Sequence, residues 1–205
     1  MSADRPKRIL IATHNAGKLK EFAALLAPLG IEAVGAGAMG LAEPAESADD
    51  FAGNARLKAL AAARAAGIAA LADDSGLCVA ALGGGPGVFS ARYAAGDYGA
   101  AFTRIIAACA AAGEWRARFV CALCLAQPDG TTATFIGQAD GMIAREAGGA
   151  GGFGYDPVFV PDGYEKTYAE LGSAVKDAIS HRARAFAQVA ARLAGSAVAG
   201  RAVGG

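Results

Sequence analysis

The sequence has little of what marks a nucleic-acid-binding or a membrane protein. Its 19 basic and 19 acidic residues cancel, so no broad basic face is available for a nucleic-acid duplex. Its most apolar stretch, residues 59–72, carries Arg64 and is too short to span a bilayer. The first residues lack the layout of a signal peptide. We therefore expect a cytoplasmic protein without nucleic-acid or membrane partners.

Cysteine is also scarce. The four cysteines, Cys78, Cys109, Cys121 and Cys124, all lie in apolar surroundings. Cys121 and Cys124 form a CxxC pair within a stretch typical of a β-strand, where residues three apart face opposite sides. A structural zinc site would also need a second pair of ligands. We expect all four cysteines to be core thiols.

Hydrophobic residues are abundant at 54% of the chain, and many of them are alanines. We predict strands over 7–13, 31–35, 68–72, 116–126 and 131–139, and helices over 15–28, 50–66, 100–112 and 174–194. Early strand–helix–strand units followed by a hairpin favour an α/β fold with a mixed sheet. We expect one domain over residues 1–195 and a mobile tail over 196–205.

The first candidate site is "ATHNAGK", residues 12–18, where the first strand leads into a helix. Free backbone N–H groups at the start of a helix attract anions, and Lys18 adds a positive charge. The segment resembles a phosphate grip, although it does not follow the GxxxxGK[ST] pattern of the P-loop. The alternative is a well-capped surface helix with a solvated lysine.

The second candidate is the adjacent pair Asp73 and Asp74, which follows the apolar run 68–72. Two neighbouring carboxylates repel each other, and a lysine, an arginine or a hard metal ion relieves that repulsion. Mg²⁺ usually takes one or two carboxylates together with substrate phosphates. On a strand the two side chains would point oppositely, and Glu43 or Glu46 could supply a second metal ligand. The alternative is a solvated "DDSG" turn at the end of a strand.

Two later segments add aromatic rings and hydrogen-bond donors. In "FGYDP", residues 153–157, a glycine between two aromatic residues would let their rings bracket a flat ligand. In "KDAISHRARA", Lys176, Ser180, His181 and Arg182 gather donors near one end of a helix. The alternatives are a core aromatic pair and an ordinary helix surface. Taken together, the four motifs offer what a nucleoside phosphate needs.

Five segments of the chain resemble the inosine triphosphate pyrophosphatase family: "ATHNAGKLKEF", "ADDSGL", "GGGPGVFSARYA", "GGFGYDPVF" and "KDAISHRARA". They occur in the family's order and cover roughly residues 8–194. The resemblance implies an elongated twisted mixed sheet flanked by helices, with two lobes around a central nucleotide-binding cleft, usually in a homodimer. It also implies Mg²⁺-dependent hydrolysis of dITP, ITP and XTP to the nucleoside monophosphate and pyrophosphate.

The resemblance also implies a role for each matching residue. Asp74 would be the catalytic proton acceptor and a metal ligand, with Glu46 as the second ligand. The implied phosphate-binding residues are Thr13, His14, Asn15, Ala16, Gly17, Lys18 and Lys58. The implied contacts to sugar and base are Ser75, Phe153, Gly154, Tyr155, Asp156, Lys176, His181 and Arg182. Three positions depart from the family pattern, since Ala45 stands where a second acid is common, Gly53 where glutamate is frequent and Phe89 where tyrosine is frequent.

Two other functions remain open from the sequence. A nucleotide-binding regulator without turnover would not need Asp74. A pyrophosphatase for other modified nucleotides would share the phosphate grip, but it should lack the "SHR" segment at residues 180–182.

Overall fold

The structure is a computed structural model that describes residues 6–42 and 44–195. Its strands are β1 (Arg8–Ile11), β2 (Glu32–Gly35), β3 (Ala70–Val79), β4 (Arg116–Ala126), β5 (Thr132–Ile143) and β6 (Phe159–Pro161). Its α-helices are α1 (Ala16–Leu26), α2 (Phe51–Ala66), α3 (Ser90–Ala94), α4 (Tyr98–Ala112), α5 (Tyr168–Leu171), α6 (Ser173–Ile179) and α7 (His181–Leu193). The strands form one sheet in the order β2-β1-β3-β4-β5-β6.

The sheet is mixed, as the sequence predicts. β1 pairs in parallel with both β2 and β3, and the helices α1 and α2 provide the crossovers that parallel strands require. β5 pairs antiparallel with β6. A short turn joins the neighbouring strands β4 and β5, closed by a bond from the Gln127 N–H to the Thr131 carbonyl oxygen at 2.8 Å. So short a connection joins antiparallel strands. The α/β fold is therefore confirmed.

The chain divides into two compact units. Unit 1 comprises Met1–Asp74, Ala122–Ile136 and Arg184–Gly205, and unit 2 comprises Ser75–Cys121 and Gly137–Ala183. The boundary falls between Asp74 and Ser75, inside strand β3.

One cluster in the core of unit 1, the one that contains α2, is built mainly from alanine. Helix α2 contributes Ala55, Ala59, Ala62 and Ala63, which share a cluster with strand residues such as Leu10. Small side chains let a helix backbone lie close to a sheet. Gly67, at φ 67°, ends the helix in the left-handed conformation, and its N–H bonds to the carbonyl oxygen of Ala63. The predicted helix over 50–66 and its stop at Gly67 are confirmed.

The core of unit 2 contains large aromatic rings. The rings of Phe119 and Phe159 meet edge to face with centroids 4.7 Å apart, and Tyr168 packs against both. Leu77 and Ile105 are completely buried in the same cluster. Cys109 and Cys121 of unit 2 are buried as predicted, and so is Cys124 of unit 1, whereas Cys78 is half-buried.

Several predicted boundaries are wrong: the strand predicted over 131–139 continues to Ile143, and the one predicted over 7–13 ends at Ile11. Two other elements differ more. The strand predicted over 68–72 begins at Ala70 and continues to Val79, so Asp73 and Asp74 lie within a strand and not at its end. The helix predicted over 174–194 is two helices, because Ser180 adopts an extended conformation (φ −67°, ψ 160°) between α6 and α7.

Two further predictions concern the C-terminal tail and membrane-spanning segments. The expected tail over 196–205 lies outside the described residues. Among the residues that the structure describes, no helix is both long and apolar enough to cross a membrane.

Candidate functional site

The predicted phosphate grip lies at the beginning of α1. Asn15 caps this helix, with its side-chain oxygen accepting the Lys18 N–H at 3.1 Å, and the Thr13 hydroxyl accepts the Asn15 N–H at 3.1 Å. The intrahelical ladder offers no acceptor to the first-turn amides of Ala16 and Gly17. His14, Asn15 and Ala16 are exposed. The start of α1 can therefore present backbone donors to an anion.

Asp73 holds the lysine of this segment. The Lys18 ammonium lies 2.8 Å from Asp73 Oδ1, and the Asp73 side chain is only 1% exposed. A buried carboxylate needs such a partner, since an isolated charge in the interior is costly. Asp73 therefore fixes the position of Lys18, which is itself partly exposed.

Lys58 lies between two other carboxylates of unit 1. Its ammonium is 2.6 Å from Glu46 Oε1 and 3.8 Å from Asp74 Oδ1, and its side chain is 3% exposed. Burial alone would lower the pKa of Lys58, but attraction to Asp73, Glu46 and Asp74 outweighs burial and raises it. Lys58 therefore remains charged. We call Lys18, Glu46, Lys58, Asp73 and Asp74 the acidic cluster.

Asp74 has a second partner that the sequence prediction missed. Its Oδ2 accepts a hydrogen bond from Asn54 Nδ2 at 3.1 Å, and Asn54 is completely buried on α2. Burial raises the pKa of Asp74 and Glu46 raises it further, while Lys58, Asn54 and Lys18 oppose that rise. The raised pKa makes Asp74 a better proton acceptor than an exposed aspartate. Asn54 lies one helical turn before Lys58, and this spacing is the only signal of its role in the sequence.

The acidic cluster contains carboxylates that could hold a divalent cation together with a phosphate. It holds three carboxylates and two ammonium groups, and it therefore carries one negative charge in excess. Among the described residues, no three His, Cys, Asp or Glu side chains form a metal-binding group. Mg²⁺ needs only one or two carboxylates when water and substrate phosphates supply its other ligands. Glu46 and Asp74, which approach the same ammonium, are suited to that role. Glu43 lies outside the described residues.

Unit 2 brings together a second set of predicted residues. Asp156 Oδ2 accepts hydrogen bonds from the Phe153 N–H at 2.8 Å and from Lys176 Nζ at 2.6 Å, and both charged side chains are almost completely buried. The Lys176 ammonium also lies 4.1 Å from the centroid of the Phe153 ring. Asp156 and Lys176 thus hold the half-buried Phe153 ring in place.

The break before α7 places His181 and Arg182 in the first turn of that helix. The hydroxyl of Ser180 caps the turn by accepting the Ala183 N–H at 3.1 Å. The His181 ring stacks on Phe119 with centroids 4.7 Å apart and planes 9° apart. Arg182 Nη2 donates to the Ser75 hydroxyl at 3.1 Å. Both residues are buried, so the ordinary helix surface is excluded.

Arg182 also approaches the second set, because its guanidinium lies 5.8 Å from the centroid of the Phe153 ring. We call Phe153, Asp156, Lys176, His181 and Arg182 the donor cluster. Its fixed charges are two cations and one carboxylate, so it carries one positive charge in excess, whereas the acidic cluster carries one negative charge in excess.

Tyr155 does not form the predicted bracket with Phe153. Its side chain is buried, its hydroxyl donates to the Ser90 carbonyl oxygen at 2.7 Å, and its ring meets Tyr98 edge to face. Burial raises the pKa of Tyr155, so the phenol stays protonated. The Tyr155 ring thus belongs to the core of unit 2. Gly154, at φ 63°, turns the backbone between these two aromatic residues.

Known proteins resemble this chain in both sequence and fold. A model described as the Ham1 family matches residues 9–192. A dITP/XTP pyrophosphatase from Gluconobacter oxydans (strain 621H) is 50% identical over 181 residues, which cover 87% of each chain. Another from Rhodospirillum centenum (strain ATCC 51521 / SW) is 52% identical over 189 residues, which cover 90% of this chain and 93% of the relative.

Solved structures agree with the fold. A HAM1 protein from Coxiella burnetii superposes with a TM-score of 0.84 at 37% identity, covering 92% of this chain and 98% of that one. A nucleoside-triphosphatase / dITP/XTP pyrophosphatase from Mycobacterium abscessus gives a TM-score of 0.72 at 40% identity, covering 89% of this chain and 98% of that one.

Proposed function

This chain belongs to the Ham1 family, and from that premise we propose that it hydrolyses the deaminated purine nucleoside triphosphates dITP, ITP and XTP. The products would be the nucleoside monophosphate and pyrophosphate, and the reaction would keep these nucleotides out of DNA and RNA. The names of the similar proteins from Gluconobacter oxydans and Rhodospirillum centenum, dITP/XTP pyrophosphatase, support the substrate class.

The structural observation that carries the proposal is the arrangement around Lys58. A buried ammonium that approaches both Glu46 and Asp74 is costly to maintain, and an ordinary surface helix would gain nothing from it. Phosphoryl transfer asks the protein mainly for positioning and for charges that stabilise the transferring group. The acidic cluster supplies both cations and carboxylates for that purpose.

In the proposed mechanism water attacks, the bond between the α- and β-phosphates breaks, pyrophosphate leaves, and Asp74 accepts the proton of the attacking water. Lys18 and Lys58 stabilise the charge that develops on the phosphate oxygens, and Asp73 keeps Lys18 in position. The first-turn amides of α1 add backbone donors to the phosphates. Glu46 and Asp74 would hold Mg²⁺, which when bound neutralises phosphate charge and lowers the pKa of water.

The donor cluster would read the base. Hypoxanthine and xanthine carry an oxygen acceptor at position 6, whereas adenine carries an amino donor there. His181 and Arg182 can donate to that oxygen, and ATP would leave these buried donors unpaired. The Phe153 ring, held by Asp156 and Lys176, provides a flat surface for the base.

A product assay tests the reaction. We would incubate the protein with ITP, XTP, GTP and ATP, with and without Mg²⁺, and measure pyrophosphate and orthophosphate separately. The proposal predicts that pyrophosphate is released from ITP and from XTP, and in both cases only when Mg²⁺ is present. Orthophosphate as the product would mean that a different bond is cleaved. Tight ITP binding without turnover would instead indicate a nucleotide-binding regulator, and turnover of other modified triphosphates alone would indicate a different specificity.

We also propose that the protein is a cytoplasmic homodimer without nucleic-acid or membrane partners. The zero net charge of the sequence supports the absence of a nucleic-acid partner. Light scattering of the purified protein would give its mass in solution, and a monomer at micromolar concentration would exclude the dimer.

A further inference from the structure

Asn54 makes two hydrogen bonds that use opposite ends of its amide. Its Oδ1 accepts the Ala48 N–H at 2.9 Å, and its Nδ2 donates to Asp74 Oδ2 at 3.1 Å. Only the carbonyl oxygen can accept from an N–H, and only the NH₂ group can donate to a carboxylate. The two partners therefore fix the orientation of the amide. The side chain is completely buried, so water is not available to replace either partner.

These bonds connect the two carboxylates that approach Lys58. Ala48 lies two residues after Glu46, in the loop that precedes α2. Lys58 follows Asn54 by four residues on α2, and residues at that spacing share one face of a helix. The contacts form a closed ring that runs from Asn54 to Asp74, from Asp74 to Lys58, from Lys58 to Glu46, and along the chain through Ala48 back to Asn54.

The loop is also packed tightly against the start of α2. A Cβ atom on Gly53 would lie 2.6 Å from the Cβ of Ala48, closer than real side chains approach. The Asp50 side chain accepts the Gly53 N–H at 2.6 Å and caps the helix. Ala48 thus bonds to Asn54 and leaves no room for a side chain at the neighbouring Gly53, and a shift at Ala48 would be passed to Glu46.

We propose that Asn54 is a positioning residue that sets the distance between Glu46 and Asp74. One end of its amide orients the Asp74 carboxylate, and the other end holds the loop that carries Glu46. The proposal rests on the proposed function, because it assigns to these carboxylates a joint task in the reaction.

Two substitutions separate the two ends of the amide. Asn54→Asp keeps an oxygen acceptor for the Ala48 N–H and loses the donor to Asp74. Asn54→Leu has a similar volume and loses both bonds. Hydrogen exchange of the Ala48 amide, measured in the protein without metal, reports on the loop independently of activity. Steady-state kinetics with ITP at saturating Mg²⁺ reports on the carboxylates.

We expect different results for the two variants. In Asn54→Asp, the hydrogen-exchange rate of the Ala48 amide should stay within about threefold of the native rate. Its kcat should fall about 10- to 100-fold, as is typical when a group that orients a ligand is lost. Asn54→Leu should exchange that amide at least about tenfold faster and lose at least as much kcat. KM should change less than kcat in both variants, because the substrate-binding residues remain.

Asp50→Ala is the matched control, since it removes the cap of the same helix. Asp50 is exposed, and its carboxylate contacts the Gly53 N–H. We expect this variant to keep kcat within about threefold while its melting temperature falls. If Asp50→Ala lost as much kcat as the Asn54 variants, lower helix stability alone would explain the loss, and the proposal would be overturned.

Two other results would also overturn it. One is a kcat within twofold of the native value in both Asn54 variants. The other is native protection of the Ala48 amide in Asn54→Leu. If the native protein hydrolyses no triphosphate, the proposed function fails by itself, and the Ala48 amide then decides whether Asn54 holds the loop.

Discussion

The acidic cluster in unit 1 and the donor cluster in unit 2 both bury charged side chains, but the first has an excess of negative charge and the second an excess of positive charge. Three carboxylates accompany two ammonium groups in the first, whereas one carboxylate accompanies a lysine and an arginine in the second. A triphosphate is repelled by a negative excess unless a cation joins it. A positive excess, in contrast, favours an electron-rich oxygen. Under the proposed function, the sign of the buried charge would separate a phosphate and metal task from a base-recognition task.

The cores beneath the two clusters differ as well. Alanines on α2 allow the helix that carries Asn54 and Lys58 to pack closely in unit 1. Aromatic rings fill unit 2, and one of them, Phe119, stacks on His181. The abundance of alanine in the sequence therefore has a structural reason in unit 1, where a larger side chain on α2 would move Lys58 away from its partners.

Substituting Asp74 should produce the largest effect on turnover. Asp74→Asn keeps the shape of the side chain but removes the proton acceptor and one proposed metal ligand. We expect kcat for ITP to fall about 100- to 10 000-fold, the range associated with general acid–base catalysis. The amide oxygen can still accept from Asn54, so the fold should persist. Pyrophosphate release and circular dichroism would measure the two quantities.

A variant that retained kcat would remove Asp74 from the mechanism and would leave the negative excess of the acidic cluster without a catalytic purpose. Glu32→Gln is a suitable control, because it removes a carboxylate of unit 1 that forms an exposed ion pair with Arg8. We expect it to leave kcat unchanged.

Breaking the buried pair in unit 2 should instead act mainly on stability. Lys176→Met leaves Asp156 charged and buried without its ammonium partner, since the two side chains are 5% and 3% exposed. We expect the free energy of unfolding to fall by about 3–5 kcal/mol, as when one member of a buried ion pair is removed. Denaturant titration would measure the loss.

The double variant Asp156→Asn with Lys176→Met tests the cause of that loss. Removing both charges should recover part of the free energy of unfolding, because no isolated buried charge remains. If the double variant were as unstable as the sum of the two single variants, the loss would come from packing against Phe153 and not from charge.

The fold could be predicted from periodicity, but not the course of β3. Apolar runs and helical spacing correctly indicated the parallel units and the hairpin. The run 68–72 gave no reason to continue through Asp73 and Asp74, since charged residues disfavour a buried strand. Lys18 and Lys58 compensate those charges from other elements, and a local pattern cannot show such partners.

The candidate site shows the same limit. The motifs indicated which residues are chemically suited to bind a nucleotide. They did not indicate which of these residues instead hold other side chains in place or pack in the core. Asp156 holds Lys176 and Phe153, and the Tyr155 ring packs in the core of unit 2. Asn54 carried no signal except its spacing from Lys58, because a single buried hydrogen-bonding side chain is set by tertiary contacts.

Substituting His181 should change specificity by a smaller factor. His181→Phe preserves an aromatic ring that can stack on Phe119 and removes the ring nitrogens, and with them the N–H donor. We expect the ratio of kcat/KM for ITP over ATP to fall about 10- to 100-fold, since a lost buried hydrogen bond weakens discrimination by that order. Kinetics with both nucleotides would give the ratio. An unchanged ratio would mean that the donor cluster does not read position 6 through His181.

Gly53→Ala should have the smallest effect and would test how precisely the acidic cluster is held. Alanine favours the helix over glycine by about 1 kcal/mol, but its Cβ would meet Ala48 at 2.6 Å and displace the loop that carries Glu46. We expect stability to change by less than about 1 kcal/mol and kcat to fall severalfold.

Gly99→Ala is the matched control in unit 2, because Gly99 also lies in the first turn of a helix and its Cβ would approach nothing closer than 3.4 Å. That variant should gain stability and keep kcat. Equal kinetics in the two variants would show that the spacing of Glu46 and Asp74 tolerates movement of the loop.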